Sequence, residues 1–226
     1  MESMMEWLLA LGSIMLVNVV LSGDNAVVIA LASRNLPEKQ RKTAVLVGSG
    51  GAIVLRVLLT LVAVALLRIS YIQFFGGVLL IWIAAKLLME SREEDEAIQG
   101  SGRLGAAVRT IILADLVMSL DNTLAIAAVA HGNLVLLGVG LTLSVPLIIF
   151  GAQLIAKVMD RFPLIVYAGA GLIAWTAGKM MAEDPKLGHL MVNYVPEWVI
   201  PGVVTLGVMA LGYGWNRLRR PAREAA

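Results

Sequence analysis

The chain has 226 residues, of which 59% are hydrophobic and only 15% are charged, and its mean hydropathy is +0.84. A soluble domain of this length needs a largely polar surface, so this composition predicts an integral membrane protein. The net charge of +2 is too small to favour nucleic-acid binding, and the absence of cysteine excludes a disulfide framework and a thiolate metal site.

Seven apolar segments have about the length that a helix needs to cross a bilayer, roughly 20 residues. In chain order they are residues 7–33, 43–67, 70–90, 105–130, 133–157, 163–182 and 198–215. A polar, charged linker at 91–104 separates the third segment from the fourth. The sequence therefore predicts an all-α membrane protein with seven transmembrane helices.

Lysine and arginine are enriched in the cytoplasmic loops of membrane proteins, which allows the orientation to be predicted. Here they concentrate in residues 34–42, 90–109 and 157–162 and in the C-terminal tail, whereas the intervening loops contain few of them. We therefore predict a multi-pass protein with its N-terminus outside and its C-terminus in the cytoplasm.

The first three segments resemble the next three. "SGDNAVVIALAS", which begins at Ser22, aligns with "SLDNTLAIAAVA" at an offset of 97, and "GGVLLIWIAAKLLME" aligns with "GAGLIAWTAGKMMAE" at an offset of 93. Each unit has an odd number of helices, so the second unit must insert upside down relative to the first. The predicted organisation is one repeat at about 7–90, an inverted repeat at about 105–183 and an extra helix at about 198–215.

Polar residues occupy equivalent positions deep in the two repeats, where ionisable side chains cost about 2.5–3.5 kcal/mol each on insertion scales and usually serve function. At the offset of 97, the pairs are Asn18 with Asp115, Ser22 with Ser119, Asp24 with Asp121, and Asn25 with Asn122. In each repeat, three of these positions follow the spacing i, i+4, i+7, which is one face of a helix. Asp24 lies off that face, and we expect Gly23 to loosen the backbone so that Asp24 turns inward.

Counting residues from the predicted helix ends places these side chains in two layers. Asp24 and Asp115 are expected in an inner layer and Asp121 and Asn18 in an outer layer, about 9 Å apart for six residues of helix. The inner layer would then be the more negative one and would capture a cation from the cytoplasm.

The predicted site is built from oxygen donors. Its metal ligands are Asp24, Asn25, Asp115, Asp121, Asn122 and Asn18, with Ser22, Ser119 and Arg56 in support. Carboxylate, amide and hydroxyl oxygens suit Mn²⁺, Ca²⁺ or Mg²⁺ better than Cu⁺ or Zn²⁺. Three aspartates and one arginine leave a charge of about −2, which a divalent cation or two protons would neutralise. This pattern predicts a divalent cation transporter, with proton coupling left open.

Other interpretations of the same residues stand beside this one. The aspartates and asparagines can also join helices through hydrogen bonds. Arg56 is either a structural counter-ion for an aspartate or a tethered cation that competes with the substrate. Gly48 and Gly50 align with Gly138 and Gly140 at an offset of 90, and at this offset Pro146 takes the place of Arg56 in the second repeat. A scaffold that delivers metal to a membrane partner and an intramembrane aspartyl protease are the alternative functions. The protease leaves the asparagine after each aspartate unexplained, so we expect a protein that is not an enzyme.

The paired motifs "SGDN" and "SLDN" in inverted three-helix units resemble the TerC family of integral membrane proteins, in particular its YjbE-type group within the larger LysE-like transporter set. The resemblance covers roughly residues 7–182. It implies that Asp24, Asn25, Asp121 and Asn122 bind the transported ion, and that this ion is Mn²⁺, exported across the cytoplasmic (inner) membrane of a bacterium. The expected partners are the divalent cation and the lipid bilayer, with a homo-oligomer left open and no tightly bound cofactor.

Overall fold

The structure is a computed structural model, and it describes residues 4–66, 69–89, 101–129, 133–186 and 195–224. Within these ranges, the side chains of residues 6, 63–65, 101–102, 121, 123–129, 134, 216 and 218–224 lie outside the description. Residues 91–100 of the predicted linker also lie outside the described residues.

The described residues form helices and contain no strand. The helices are α1 (Met4–Leu21), α2 (Gly23–Ser33), α3 (Glu38–Leu66), α4 (Ile72–Met89), α5 (Ser101–Val129), α6 (Leu134–Arg161), α7 (Leu164–Ala182) and α8 (Val199–Glu224). The prediction of an all-α protein is confirmed. The first predicted segment differs in being two helices, because the chain breaks at Ser22.

Several helices are long and apolar enough to cross a membrane. In the part of the chain that is described, α3, α4, α6 and α7 meet this criterion singly, and α1 and α2 meet it together as a pair bent by 53°. The apolar part of α8, Val199–Trp215, is shorter. The structure therefore supports four spans, or five with the bent pair, and the count of seven stays a prediction.

The distribution of side chains is that of a membrane protein. Large apolar residues on the helices are exposed, including Val54 and Leu58 of α3 and Phe150 and Leu154 of α6. Polar side chains such as Asn18, Arg56, Ser119 and Ser144 are instead buried. Since lipid is as apolar as leucine, polar groups gain from facing one another between helices.

The contacts divide the chain into two compact units. The first unit comprises residues 1–68 and 104–157, and it contains α1, α2, α3, most of α5 and most of α6. Glycines allow close helix packing in this unit. A Cβ atom at Gly48 of α3 would lie 2.9 Å from Cγ2 of Ile111, and a Cβ atom at Gly140 of α6 would lie 2.5 Å from Cγ2 of Ile14.

The second unit comprises residues 69–103 and 158–226, and in it α4 packs against α7 and α7 packs against α8. The buried carboxylate of Asp184, just after α7, accepts a hydrogen bond of 3.3 Å from the backbone N–H of Phe74 in the first turn of α4. A carboxylate is favourable at a helix N-terminus because the N–H groups there have no partner within the helix.

Candidate functional site

The break between α1 and α2 lies at the first Asp-Asn pair. Ser22 has φ −100° and ψ 11°, so the N–H of Asn25 does not continue the helical ladder to the C=O of Leu21. The carboxylate of Asp24 accepts that N–H at 2.9 Å instead, and the C=O of Leu21 accepts a hydrogen bond of 3.2 Å from the side-chain amide of Asn122. One member of each Asp-Asn pair, Asp24 and Asn122, thus bonds to a backbone group at the break.

The guanidinium group of Arg56 is the centre of a buried polar cluster. Arg56 is only 5% exposed. Its Nη1 donates to Oδ1 of Asn18 at 2.5 Å and to Oγ of Ser22 at 3.0 Å. Its Nε donates to Oγ of Ser119 at 2.9 Å, and its Nη2 donates to Oδ1 of Asp115 at 2.5 Å. One cation therefore holds four oxygen atoms from two regions that are far apart in sequence.

These four oxygen atoms come from sequence-equivalent positions. Asn18 and Asp115 are equivalent at the offset of 97, as are Ser22 and Ser119. The guanidinium group bridges Asn18 and Asp115, which were expected in different layers. That expectation counted depth from helix ends predicted by hydropathy, and α5 begins at Ser101 instead of 105.

Asp115 is the carboxylate of this cluster, and both of its oxygen atoms are engaged. Its Oδ1 also accepts a hydrogen bond of 2.9 Å from the side-chain amide of Asn25. Its Oδ2 accepts a hydrogen bond of 3.1 Å from Oγ of Ser119. Since a buried charge is stable only when it is paired and hydrogen-bonded, the Arg56–Asp115 ion pair depends on these neighbours.

A cavity lies beside the cluster. It has a volume of about 30 Å³, and its lining combines apolar side chains with Asn18, Asn25, Ser49, Arg56 and Asp115. Two oxygen atoms from its lining are buried without a hydrogen-bond partner among the described residues, namely Oδ1 of Asn25 and Oγ of Ser49. These residues are only 3% and 5% exposed. Unpartnered buried oxygen atoms at a cavity are available to a cation.

Two members of the site were missed by sequence analysis. Ser49 lies seven residues before Arg56, on the same face of α3, and that spacing could have identified it. Ser144 of α6 accepts a hydrogen bond from the side-chain amide of Asn18 and donates to the C=O of Leu141 at 2.7 Å. No sequence signal distinguishes Ser144 from Thr142, the other hydroxyl-bearing residue in the same apolar run.

The structure brings together some of the predicted residues. The cluster contains Asn18, Ser22, Asn25, Arg56, Asp115 and Ser119. The side-chain amide of Asn122 donates to the backbone C=O of Leu21 at the break. The carboxylate of Asp24 accepts from the N–H of Asn25, and no hydrogen bond in the described part joins Asp24 to Arg56. The side chain of Asp121 lies outside the described residues. Within those residues, no group of three or more histidine, aspartate and glutamate side chains could hold a metal ion.

Comparison with known proteins gives the chain's relatives. The sequence model of the integral membrane protein TerC family matches residues 3–220. The chain is 42% identical to the uncharacterized membrane protein YjbE of Bacillus subtilis, over 91% of this chain and 94% of that protein. It is 31% identical to the uncharacterized membrane protein YceF of the same organism, over 75% of this chain and 69% of that protein. It is 30% identical to the inner membrane protein YgdQ of Escherichia coli, over 83% of this chain and 85% of that protein. No solved structure matches the chain.

Proposed function

Because the chain belongs to the TerC family of integral membrane proteins, we propose that it is a divalent cation transporter that exports Mn²⁺ from the cytoplasm. The observation that carries the proposal is the buried set of oxygen donors around Arg56, next to a cavity with two unpartnered oxygen atoms. Hard oxygen donors are suited to Mn²⁺, Ca²⁺ and Mg²⁺. The choice of Mn²⁺ among them rests on the family resemblance.

The proposed architecture has seven spans, as two inverted repeats of three and an additional helix. Repeat-equivalent helices fall in the same compact unit: α1 and α2 with α5, α3 with α6, and α4 with α7. Gly48 packs against Ile111, and Gly140 packs against Ile14. Ile14 and Ile111 are equivalent at the offset of 97, and each packs against a glycine of the other repeat. The two glycines are not exact counterparts, because position 138 is the one equivalent to Gly48.

The proposed ion path uses the free oxygen atoms first. An entering cation would meet Oδ1 of Asn25 and Oγ of Ser49 in the cavity and would then reach Asp115, the nearby carboxylate that supplies negative charge. Asp24, Asp121 and Asn122 stay in the proposed site because of the family resemblance. The name of the relative YgdQ supports an inner-membrane location, and the basic loops support an N-terminus outside and a C-terminus in the cytoplasm.

The proposal is tested with purified protein in liposomes that contain a fluorescent indicator of divalent cations. We expect Mn²⁺ to enter and Zn²⁺ to enter poorly, because the described site has neither imidazole nor thiolate ligands. Asp115→Asn should lower the initial rate by about tenfold or more, equivalent to at least about 1.4 kcal/mol in the barrier to transport. Asp160→Asn, which removes an exposed carboxylate near the end of α6, should leave the rate unchanged.

Asp115→Asn also leaves the guanidinium group of Arg56 buried and unpaired, which can cost about 3–5 kcal/mol of stability. Thermal unfolding in detergent must therefore accompany the transport assay. Asn25→Ala keeps the ion pair and provides a second variant, which should also lower the rate. Native protein that moves none of the tested divalent cations would overturn the proposal.

A further inference from the structure

We infer that Arg56 is a tethered substitute for the transported cation, which holds the ion's oxygen ligands while the carrier is empty and leaves them when the ion binds. This inference rests on the proposed transport function. It concerns a step that ligand binding alone does not explain, namely the return of the empty carrier.

The first argument is competition for the same atoms. A guanidinium group has five N–H donors and no acceptor, so it occupies the oxygen lone pairs that a hard cation would use. Arg56 takes Oδ1 of Asp115 and Oδ1 of Asn18 at 2.5 Å each. A divalent ion at these oxygen atoms would share one carboxylate with the arginine, and the repulsion between the two cations would drive the side chain away.

The second argument is position. The guanidinium group lies between equivalent residues of the two repeats, with Asn18 and Ser22 on Nη1 and Asp115 and Ser119 on Nη2 and Nε. In transporters built from inverted repeats, the substrate binds at the interface of the repeats. Arg56 has no basic counterpart in the second repeat, where Pro146 occupies the equivalent position.

The third argument is that some buried oxygen atoms near Arg56 have no hydrogen-bond partner among the described residues. A purely structural counter-ion is stable when its neighbours also have their hydrogen bonds. Beside Arg56, however, Oδ1 of Asn25 and Oγ of Ser49 are buried without a partner among the described residues, and both residues line the same cavity. An arriving ion thus has two free oxygen ligands before the arginine moves.

This role has a specific consequence for transport. Without Arg56, the empty carrier would have to change conformation with Asp115 unpaired in a low-dielectric interior, which is costly. The loaded carrier would not have this difficulty, because the ion itself neutralises the carboxylate. Removing the arginine should therefore stop net export and spare the exchange of ions between the two sides, and Mn²⁺ should bind more tightly for lack of a competitor.

The experiment compares native protein, Arg56→Gln and Arg56→Lys in liposomes loaded with radioactive Mn²⁺, at mildly alkaline pH, where a proton is a poor substitute for arginine. Net efflux is measured into Mn²⁺-free buffer, and exchange is measured into buffer that contains unlabelled Mn²⁺. For Arg56→Gln we expect net efflux to fall about tenfold or more and exchange to stay within about twofold of native. The Mn²⁺ concentration that half-saturates the rise in unfolding temperature should fall severalfold. Lys42→Gln, which removes an exposed charge from the same helix, should behave as native.

Native rates of both net efflux and exchange in Arg56→Gln would overturn the inference, as would loss of both in a protein with native thermal stability. If Arg56→Gln does not fold, Arg56→Lys decides. Lysine keeps the charge but lacks the forked donors that hold four oxygen atoms, so we expect tighter Mn²⁺ binding and a lower ratio of net efflux to exchange. A native ratio and native affinity in Arg56→Lys would contradict the inference. Absence of both fluxes in the native protein would instead contradict the proposed transport function.

Discussion

Asn25 and Ser49 combine deep burial with an oxygen atom that no described residue satisfies. A buried polar group without a partner costs about 1–3 kcal/mol, so folding stability alone would favour alanine over serine at position 49. Ser49 lines the cavity beside Asp115, where a bound cation would give its hydroxyl oxygen a partner and offset this cost. The residue therefore has a physical reason to be there if the cavity binds an ion.

Ser49→Ala should separate stability from transport. We expect its unfolding temperature to stay the same or rise, because the variant removes an unsatisfied hydroxyl group. We expect its half-saturating Mn²⁺ concentration to rise severalfold, because one ligand is lost. Thermal unfolding in detergent and initial rates in liposomes measure the two effects.

Ser33→Ala is the matched control for this prediction. Ser33 is also buried, but its hydroxyl group donates to the C=O of Ile29 at 2.7 Å and it is not part of the cavity lining. The Ser33→Ala variant should leave Mn²⁺ affinity unchanged. A Ser49→Ala protein that is less stable than native and transports normally would show that this hydroxyl group is structural.

At the scale of helices, the contact between α7 and α8 depends on one glycine. A Cβ atom at Gly178 would lie 2.5 Å from Cα of Pro201 and 3.2 Å from the backbone oxygen of Ile200. Backbone atoms cannot move aside as a flexible side chain can, so the two helices would have to separate. We expect Gly178→Ala to destabilise the protein by about 1–3 kcal/mol or more, the usual cost of overpacking.

Gly171→Ala provides the comparison on the same helix. A Cβ atom there would lie 3.7 Å from both Sδ of Met209 and Cγ2 of Thr205, which is ordinary contact. Thermal unfolding should show Gly171→Ala close to native and Gly178→Ala clearly below it. Equal stability of the two variants would mean that α7 and α8 do not pack as described.

Hydropathy predicted the apolar body of each helix well and the polar ends poorly. Segment 163–182 corresponds to α7, Leu164–Ala182, whereas α3 begins at Glu38, five residues before its predicted start. The first turn of α3 is polar, and an ion pair of 2.9 Å between Lys42 and Glu38 lies there. A charged turn in water lacks the apolar signal that the prediction used, although it can be helical.

The site could be predicted along each helix but not across helices. The spacing of Asn18, Ser22 and Asn25 predicted one polar face, and all three side chains join the cluster. The choice of partners for Arg56 could not be predicted, because it depends on how closely α3 approaches α5, where Gly48 meets Ile111. Sequence spacing does not contain that distance. The break at Ser22 was expected near Gly23, but the hydrogen bonds that satisfy it come partly from α5.

At the scale of the whole molecule, the two compact units do not coincide with the two predicted repeats. Each repeat contributes its first two predicted segments to the first unit and its third segment to the second unit. Such an arrangement makes each unit depend on both halves of the chain. Two-fold related repeats would group equivalent helices in this way. If the repeats are inverted, equivalent loops lie on opposite sides of the membrane.

Single cysteines can test this topology, because the chain has no cysteine of its own. The loop after the first span and the loop after the fourth span are equivalent, so inverted repeats place them on opposite sides, whereas parallel repeats would place them on the same side. We expect a membrane-impermeant maleimide added to intact cells to label Ser70→Cys and Gly132→Cys, and to label Lys39→Cys only after the membrane is permeabilised. Lys39 and Ser70 are exposed, so burial within the protein would not explain a failure to label. Labelling of Lys39→Cys and Gly132→Cys from the same side would contradict the inverted repeat, and with it the position of Arg56 between two equivalent halves.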